Sequence, residues 1–154
     1  MRKSPPTKIG GSSTKVQIAY VSLMSTADRV RSSFEPIRAP FEITGQQYNV
    51  LRILRGAEPE GLPTLTIAER MVERTPGITG LVDRLESKSL VVRQISAPDR
   101  RQVYCRITKK GLNLLKLLDG PMEAGLRNAF KALTSKELEQ LIILLDKARL
   151  THQD

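Results

Sequence analysis

Between Thr75 and Thr108 the chain changes its hydrophobic period twice, and few folds accommodate that in so short a stretch. Thr75 is a favourable N-cap and Pro76 tolerates the missing N–H of a first helical residue, so the pair predicts a helix start. Ile78, Leu81, Val82 and Leu85 then recur at i, i+3, i+4 and i+7, one apolar face directed at a core. The other side carries Thr79, Gly80, Asp83, Arg84 and Ser87: short polar groups, one bare backbone position and one long cation. After Ser89 the period becomes two. Leu90 and Val92 alternate with Val91 and Arg93, then Val103, Cys105 and Ile107 with Tyr104 and Arg106. Between them Ser96-Ala97-Pro98-Asp99-Arg100-Arg101 forms a charged turn. The stretch predicts a helix able to lie in a groove, followed by a basic hairpin.

The flanking segments are helical. Thr66-Ile67-Ala68-Glu69 has the form of a capping box and predicts a short helix through Met71 and Val72, the first arm of a helix-turn-helix whose second arm starts at Thr75. Thr44-Gly45-Gln46-Gln47 is another such box, with Ile43 placed to staple Tyr48, and its helix uses Tyr48, Leu51 and Leu54. Val16, Tyr20, Leu23, Ala27, Val30, Phe34 and Ile37 make a narrow seam that ends near Pro36. At the other end, Thr134-Ser135-Lys136-Glu137 caps a helix bearing Leu138, Leu141, Ile142, Leu145 and Ala148. The long run from Leu112 to Phe130 is interrupted by Gly120-Pro121, which is expected to kink or split it. The fold class is mainly α with a small β-hairpin wing, a winged helix-turn-helix lobe carrying N- and C-terminal helices.

Lys and Arg number 25 against 16 Asp and Glu, and the surplus is localised. Residues 66–110 hold ten cations and five anions, the first 35 residues hold six and two, and the remainder cancels. Positive charge therefore follows the expected reading head and the N-terminus, as a polyanionic partner requires. With a single cysteine, Cys105, there is no intramolecular disulfide, and with His152 the only histidine there is no Cys/His zinc cluster. Cys105 is expected in the core, alternating with Val103 and Ile107. Neither a membrane-length apolar run nor a signal-peptide block is present, so a cytoplasmic protein is expected. Gly-rich phosphate loops, nucleophile elbows and convincing carboxylate pairs are lacking, and the expectation is a non-enzyme with no cofactor.

DRLESKSLVVR followed by APDRRQVYCRITKKG resembles the MarR family of bacterial transcriptional regulators. That family's wing carries an Asp-x-Arg, and its second strand runs into Thr-x-x-Gly. Asp99, Arg101, Thr108 and Gly111 stand at those positions. The resemblance implies four parts: residues 1–14 as a flexible basic arm, 15–40 as an N-terminal dimerisation helix, 41–110 as the winged DNA-binding lobe, and 111–150 as C-terminal dimerisation helices. It implies a homodimer, an intrachain bundle being the other way to cover the terminal helices. It also implies a small aromatic or phenolic effector in a cleft near Tyr20, Arg31 and Tyr48. Four positions depart from the family pattern. Val72 and Arg74 replace Gly and Ser in the turn, Gly80 stands where a large polar residue is common, and Ser89 replaces the helix-ending Gly, which needs a left-handed backbone.

The partner is then double-stranded DNA. Thr75, Gly77, Thr79 and Gly80 allow close approach to base edges and phosphates at the start of a major-groove helix, and Arg84 offers a guanine or phosphate contact. Arg101 is expected in the neighbouring minor groove with Arg100, and Asp99 holds one of them. Lys88 is a phosphate candidate, as are Arg70, Arg74, Arg93, Lys109 and Lys110. The function expected is a repressor on a palindromic operator; the alternative is an architectural or partner-binding winged-helix protein without an effector.

Overall fold

A computed structural model of the chain describes residues 14–73, 76–95 and 103–150. In order, these form α1 (Lys15–Ser33), α2 (Glu35–Arg38), a 3-10 turn (Ala39–Phe41), α3 (Gly45–Arg55), β1 (Leu62–Pro63), α4 (Thr64–Arg70), α5 (Ile78–Ser87), β2 (Val91–Ile95), β3 (Val103–Ile107), α6 (Lys109–Ala129) and α7 (Ser135–Leu150). The strands make one antiparallel sheet in the order β1-β3-β2. Mainly helical with a small sheet, this is the expected fold class. Among the described residues no helix is long and apolar enough to cross a membrane.

Local signals set most helix starts. The Thr44 hydroxyl accepts from Gln47 N–H at 3.1 Å while Gln47 Oε1 accepts from Thr44 N–H at 3.0 Å, the reciprocal box expected there. Thr134 and Glu137 repeat it at α7. Thr14, assigned by sequence to the end of the arm, closes a third box with Gln17 and so caps α1. Thr66, by contrast, is not a cap: α4 begins two residues earlier behind extended Pro63, and Thr66 lies inside it. Met71 is already extended, so Val72 falls in the turn and not in the helix.

The second strand takes its phase from the turn before it. The register pairs Val91 with Ile107 and Arg93 with Cys105, which puts Val91 and Arg93 on the face of Cys105 and Ile107. Val91 is buried and Val92 exposed. Ser89 is the cause: its left-handed φ of 59° breaks the backbone between helix and strand, so Leu90 belongs to the helix end, its N–H bonded to the Leu85 carbonyl. The left-handed conformation itself is the one predicted for the position where the family places Gly.

α6 runs unbroken through Pro121, so the helix is not split. The bond that Pro121 cannot donate would end on Leu117, whose side of the helix faces solvent, and water can serve that carbonyl. The core lies between α3, α5, α6 and the inner sheet face, where Leu51, Leu54, Ile67, Leu85, Cys105 and Leu115 exclude solvent entirely. α1 and α7 contribute no buried residue to it.

Candidate nucleic-acid interface

α5 starts later than Thr75-Pro76 suggest. Its N-cap is Gly77 at φ 86°, ψ 35°, a left-handed conformation that lets the chain turn sharply after Pro76 without a side-chain penalty. Among the described residues no side chain caps this end. The first turn therefore presents bare N–H groups, the positive end of the helix dipole. Leu81, Val82 and Leu85 seal the inner face into the core. Thr79 and Arg84 are exposed on the outer face, and around Gly80 a Cβ would meet nothing within 4 Å. Arg84 takes part in no ion pair among the described residues, so its charge is available outward.

The neighbouring cations divide into two groups. Arg93, expected against phosphate, is instead a clamp: its Nη2 lies 2.7 Å from Asp83 Oδ1 and its Nη1 2.5 Å from Glu86 Oε2, while its backbone N–H donates to Glu86 Oε1 at 3.1 Å. Burial alone would lower this guanidinium's pKa, but the hydrogen bonds and charges of the two carboxylates outweigh it and raise it. A further 3.4 Å bond reaches the Thr79 carbonyl, so one side chain ties β2 to both ends of α5. Lys88 sits at the opposite end of α5 from Gly77 and donates to the Glu42 carbonyl; Lys110 donates to the Lys88 carbonyl at 2.8 Å. These lysines brace the helix end. Arg70 and Lys109 are exposed. Thr75, Arg74 and the wing residues Asp99, Arg100 and Arg101 lie outside the described residues.

Beside α5 is a feature that the sequence did not reveal. A cleft of about 350 Å³ opens between the end of α1, α2, the start of α3 and the Met71–Glu73 turn. Of the residues expected near an effector only Arg31 lines it, its Nε 2.8 Å from Glu73 Oε1. Tyr20 is exposed on α1, and Tyr48 is buried with Arg52 over its ring, 6.0 Å from the centroid. Arg38 also lines the cleft, and it is buried. The signal available was its position four residues after Phe34, on the apolar side of the chain.

The sequence model of the MarR family matches residues 43–103. A MarR transcription factor from Planctomyces limnophilus is 40% identical in sequence, over 89% of this chain and 98% of that chain, with a TM-score of 0.67. The homoprotocatechuate degradative operon repressor of Escherichia coli is 29% identical over 127 residues, 82% of this chain and 84% of the repressor. BpsR of Bordetella bronchiseptica, whose DNA binding is regulated by 6-hydroxynicotinic acid, superimposes with a TM-score of 0.78 over 91% of this chain and 98% of that one. At 21% identity that last likeness speaks to the fold alone.

Proposed function

The chain belongs to the MarR family of transcriptional regulators, and on that premise we propose that it is a sequence-specific DNA-binding repressor, acting as a homodimer on a palindromic operator and released by a small-molecule effector. The observation that carries the DNA reading is the asymmetry of α5. Its apolar face is sealed while Thr79, Gly80 and Arg84 stand open beside an uncapped N-terminus. Such a helix suits the major groove: short residues admit the backbone to phosphate, and Arg84 is long enough for a base edge. Thr75, Gly77 and the wing's Asp99, Arg100 and Arg101 complete the proposed surface, whereas Lys88, expected there, is engaged with the Glu42 carbonyl at the far end of α5.

The dimer reading rests on the terminal helices. Val16, Leu23, Ile143, Leu144 and Leu150 are exposed on helices that bury nothing of their own. Between α1 and α7 runs an open apolar groove of about 690 Å³ walled by Leu23, Ala27, Val30, Leu141, Leu144 and Leu145. A surface of that kind is an association site in a soluble regulator. Two lobes related by a two-fold axis read half-sites about one helical turn apart.

The test is a salt-titrated binding assay on the intergenic DNA upstream of its own gene and on a scrambled duplex. Arg84→Ala and Arg101→Ala are each expected to weaken operator binding by about 1–3 kcal/mol. Equal affinity for both duplexes with the same salt slope sinks sequence-specific regulation in favour of the architectural alternative. Sedimentation at micromolar concentration tests the dimer, and a monomer there removes the case for two-fold operators.

A further inference from the structure

A second cleft, of about 410 Å³, lies between the 3-10 turn, the end of α5 and the first half of α6. Its floor is apolar. Leu90 is buried, Phe41 and Leu114 are half-buried, and Leu117, 63% exposed, carries the floor out to solvent. Lys88 and Lys110 stand on the rim, each held by a backbone carbonyl: Lys88 Nζ donates to Glu42, and Lys110 Nζ to Lys88 at 2.8 Å. Among the described residues neither lysine forms an ion pair. An ammonium has three donors, so one carbonyl leaves two on each lysine for a ligand. Two cations sharing one cleft also repel each other, and an incoming carboxylate relieves that repulsion. DNA does not suit the site. Lys88 is at the opposite end of α5 from its open first turn, and Glu42 on the rim reduces the two positive charges to a net one, enough for a single carboxylate and not for a polyphosphate.

We propose that this cleft docks a short acidic-aliphatic segment of a partner protein, its carboxylate on Lys88 and Lys110 and its aliphatic side chains on Leu114 and Leu117. α6 sets the spacing: Leu114 and Leu117 lie about 6 and 10 Å along the helix axis from Lys110. Alternate side chains of an extended peptide share a face at steps of about 7 Å, so the pattern Asp-x-Leu-x-Leu covers all three positions. A peptide also fits better than an acyl chain. Asn113 brings an amide to the cleft, and Pro121 withholds the N–H that would otherwise bond to the Leu117 carbonyl. A peptide backbone offers a partner to both groups, whereas hydrocarbon laid over them satisfies neither. The site shares no residue with the proposed DNA surface, so the two readings stand or fall separately.

The test is fluorescence anisotropy of a labelled Gly-Asp-Ser-Leu-Ser-Leu-Gly amide titrated with the full chain. Replacing the peptide's Asp with Asn is expected to weaken binding at least about tenfold, the scale of one charge-assisted contact, and replacing both Leu with Ser to abolish it. Lys110→Met, at an exposed position, is expected to bring the Asp peptide down to the level of the Asn peptide. Leu117→Ser is expected to weaken the Asp peptide at least about threefold, because part of the apolar floor is gone. Leu65→Ser, at a leucine of α4 that is 76% exposed, leaves binding unchanged and controls for loss of surface apolarity. Equal affinity for the Asp and Asn peptides, full affinity in Lys110→Met, or no binding at millimolar peptide overturns the proposal. A fall in sedimenting mass in Leu117→Ser also overturns it, by assigning the cleft to a second copy of the chain. Cosedimentation with phosphatidylglycerol vesicles that Lys110→Met abolishes overturns it too, by assigning the cleft to a lipid surface.

Discussion

Replacing Arg93 with Met keeps the length of the side chain and removes its charge, which separates a clamp from a phosphate contact. In the folded chain the Arg93 side chain is 23% exposed and holds Asp83 at 2.7 Å and Glu86 at 2.5 Å. Hydrogen bonds to a charged group contribute about 1.5–3 kcal/mol when buried, and fully exposed ion pairs about 0.2–1 kcal/mol each. Asp83 and Glu86 keep 58% and 40% of their side chains in water, so both rehydrate once the guanidinium is gone. The balance is a loss of about 1–2 kcal/mol in urea unfolding at fixed protomer concentration. Operator affinity falls with it, since α5 is no longer fastened to β2, but the salt slope stays where it was because Arg93's charge is already satisfied. A phosphate contact predicts the opposite pair of results: unchanged stability and a slope smaller by about one. A double-mutant cycle with Glu86→Gln completes the assay. If Arg93→Met and Glu86→Gln add without coupling, the clamp contributes nothing and the account of how β2 positions α5 is wrong.

Gly111→Ala places a Cβ 2.5 Å from the Leu90 carbonyl oxygen and 2.7 Å from Ile107 Cγ1, a clash with backbone that cannot swing aside. Urea unfolding is expected to show a loss of at least about 1–3 kcal/mol. Ser89→Gly relieves the left-handed backbone at φ 59° and is expected to gain about 1 kcal/mol in the same assay, with operator affinity unchanged. Glu137, held by the Thr134 backbone N–H and hydroxyl, has its pKa lowered on folding. Its contribution to the start of α7 is therefore present above the unfolded-state pKa and lost as pH falls through the folded one. Amide exchange at the first turn of α7 is expected to speed up on acidification in the wild-type chain more than in Glu137→Gln; identical profiles would dissociate the cap from pH.

Signals confined to three or four consecutive positions were legible in the sequence. The boxes at Thr44 and Thr134 and the inner face of α5 needed no knowledge of distant residues. The box at Thr66 shows the limit of that rule. The same residue pattern occurs inside a helix once an upstream element moves the start, and here β1 does so by pairing Leu62 with Cys105, a partnership two residues long that leaves no period to detect. The inner face of β2 is not legible from alternation alone, because one left-handed residue, Ser89, sets the phase of everything after it. Arg38 was invisible for a different reason. Burial of a cation is a property of what surrounds it, and its sequence position four after Phe34 distinguishes it from a surface arginine only when the packing of α2 is known.

α1 is the element on which the proposed activities meet. Leu23, Ala27 and Val30 line the groove with α7 that a second copy would fill, while Arg31 and Phe34, one turn on, line the cleft that Arg38 opens into. α1 has no buried residue of its own and meets the lobe's core only through half-buried Val30, so little in the lobe fixes its position. Binding free energies at two sites that bias one element are linked, so an effector that tightens the dimer is bound more tightly by the dimer in the same ratio. The Arg31–Glu73 bridge extends that linkage to the turn before α5. Glu73→Gln is thus expected to leave dimerisation, measured by sedimentation, near its wild-type value while weakening operator binding, because the turn before α5 is no longer tied to α1. A variant with unchanged operator affinity would show that the bridge carries nothing from α1 to the recognition helix.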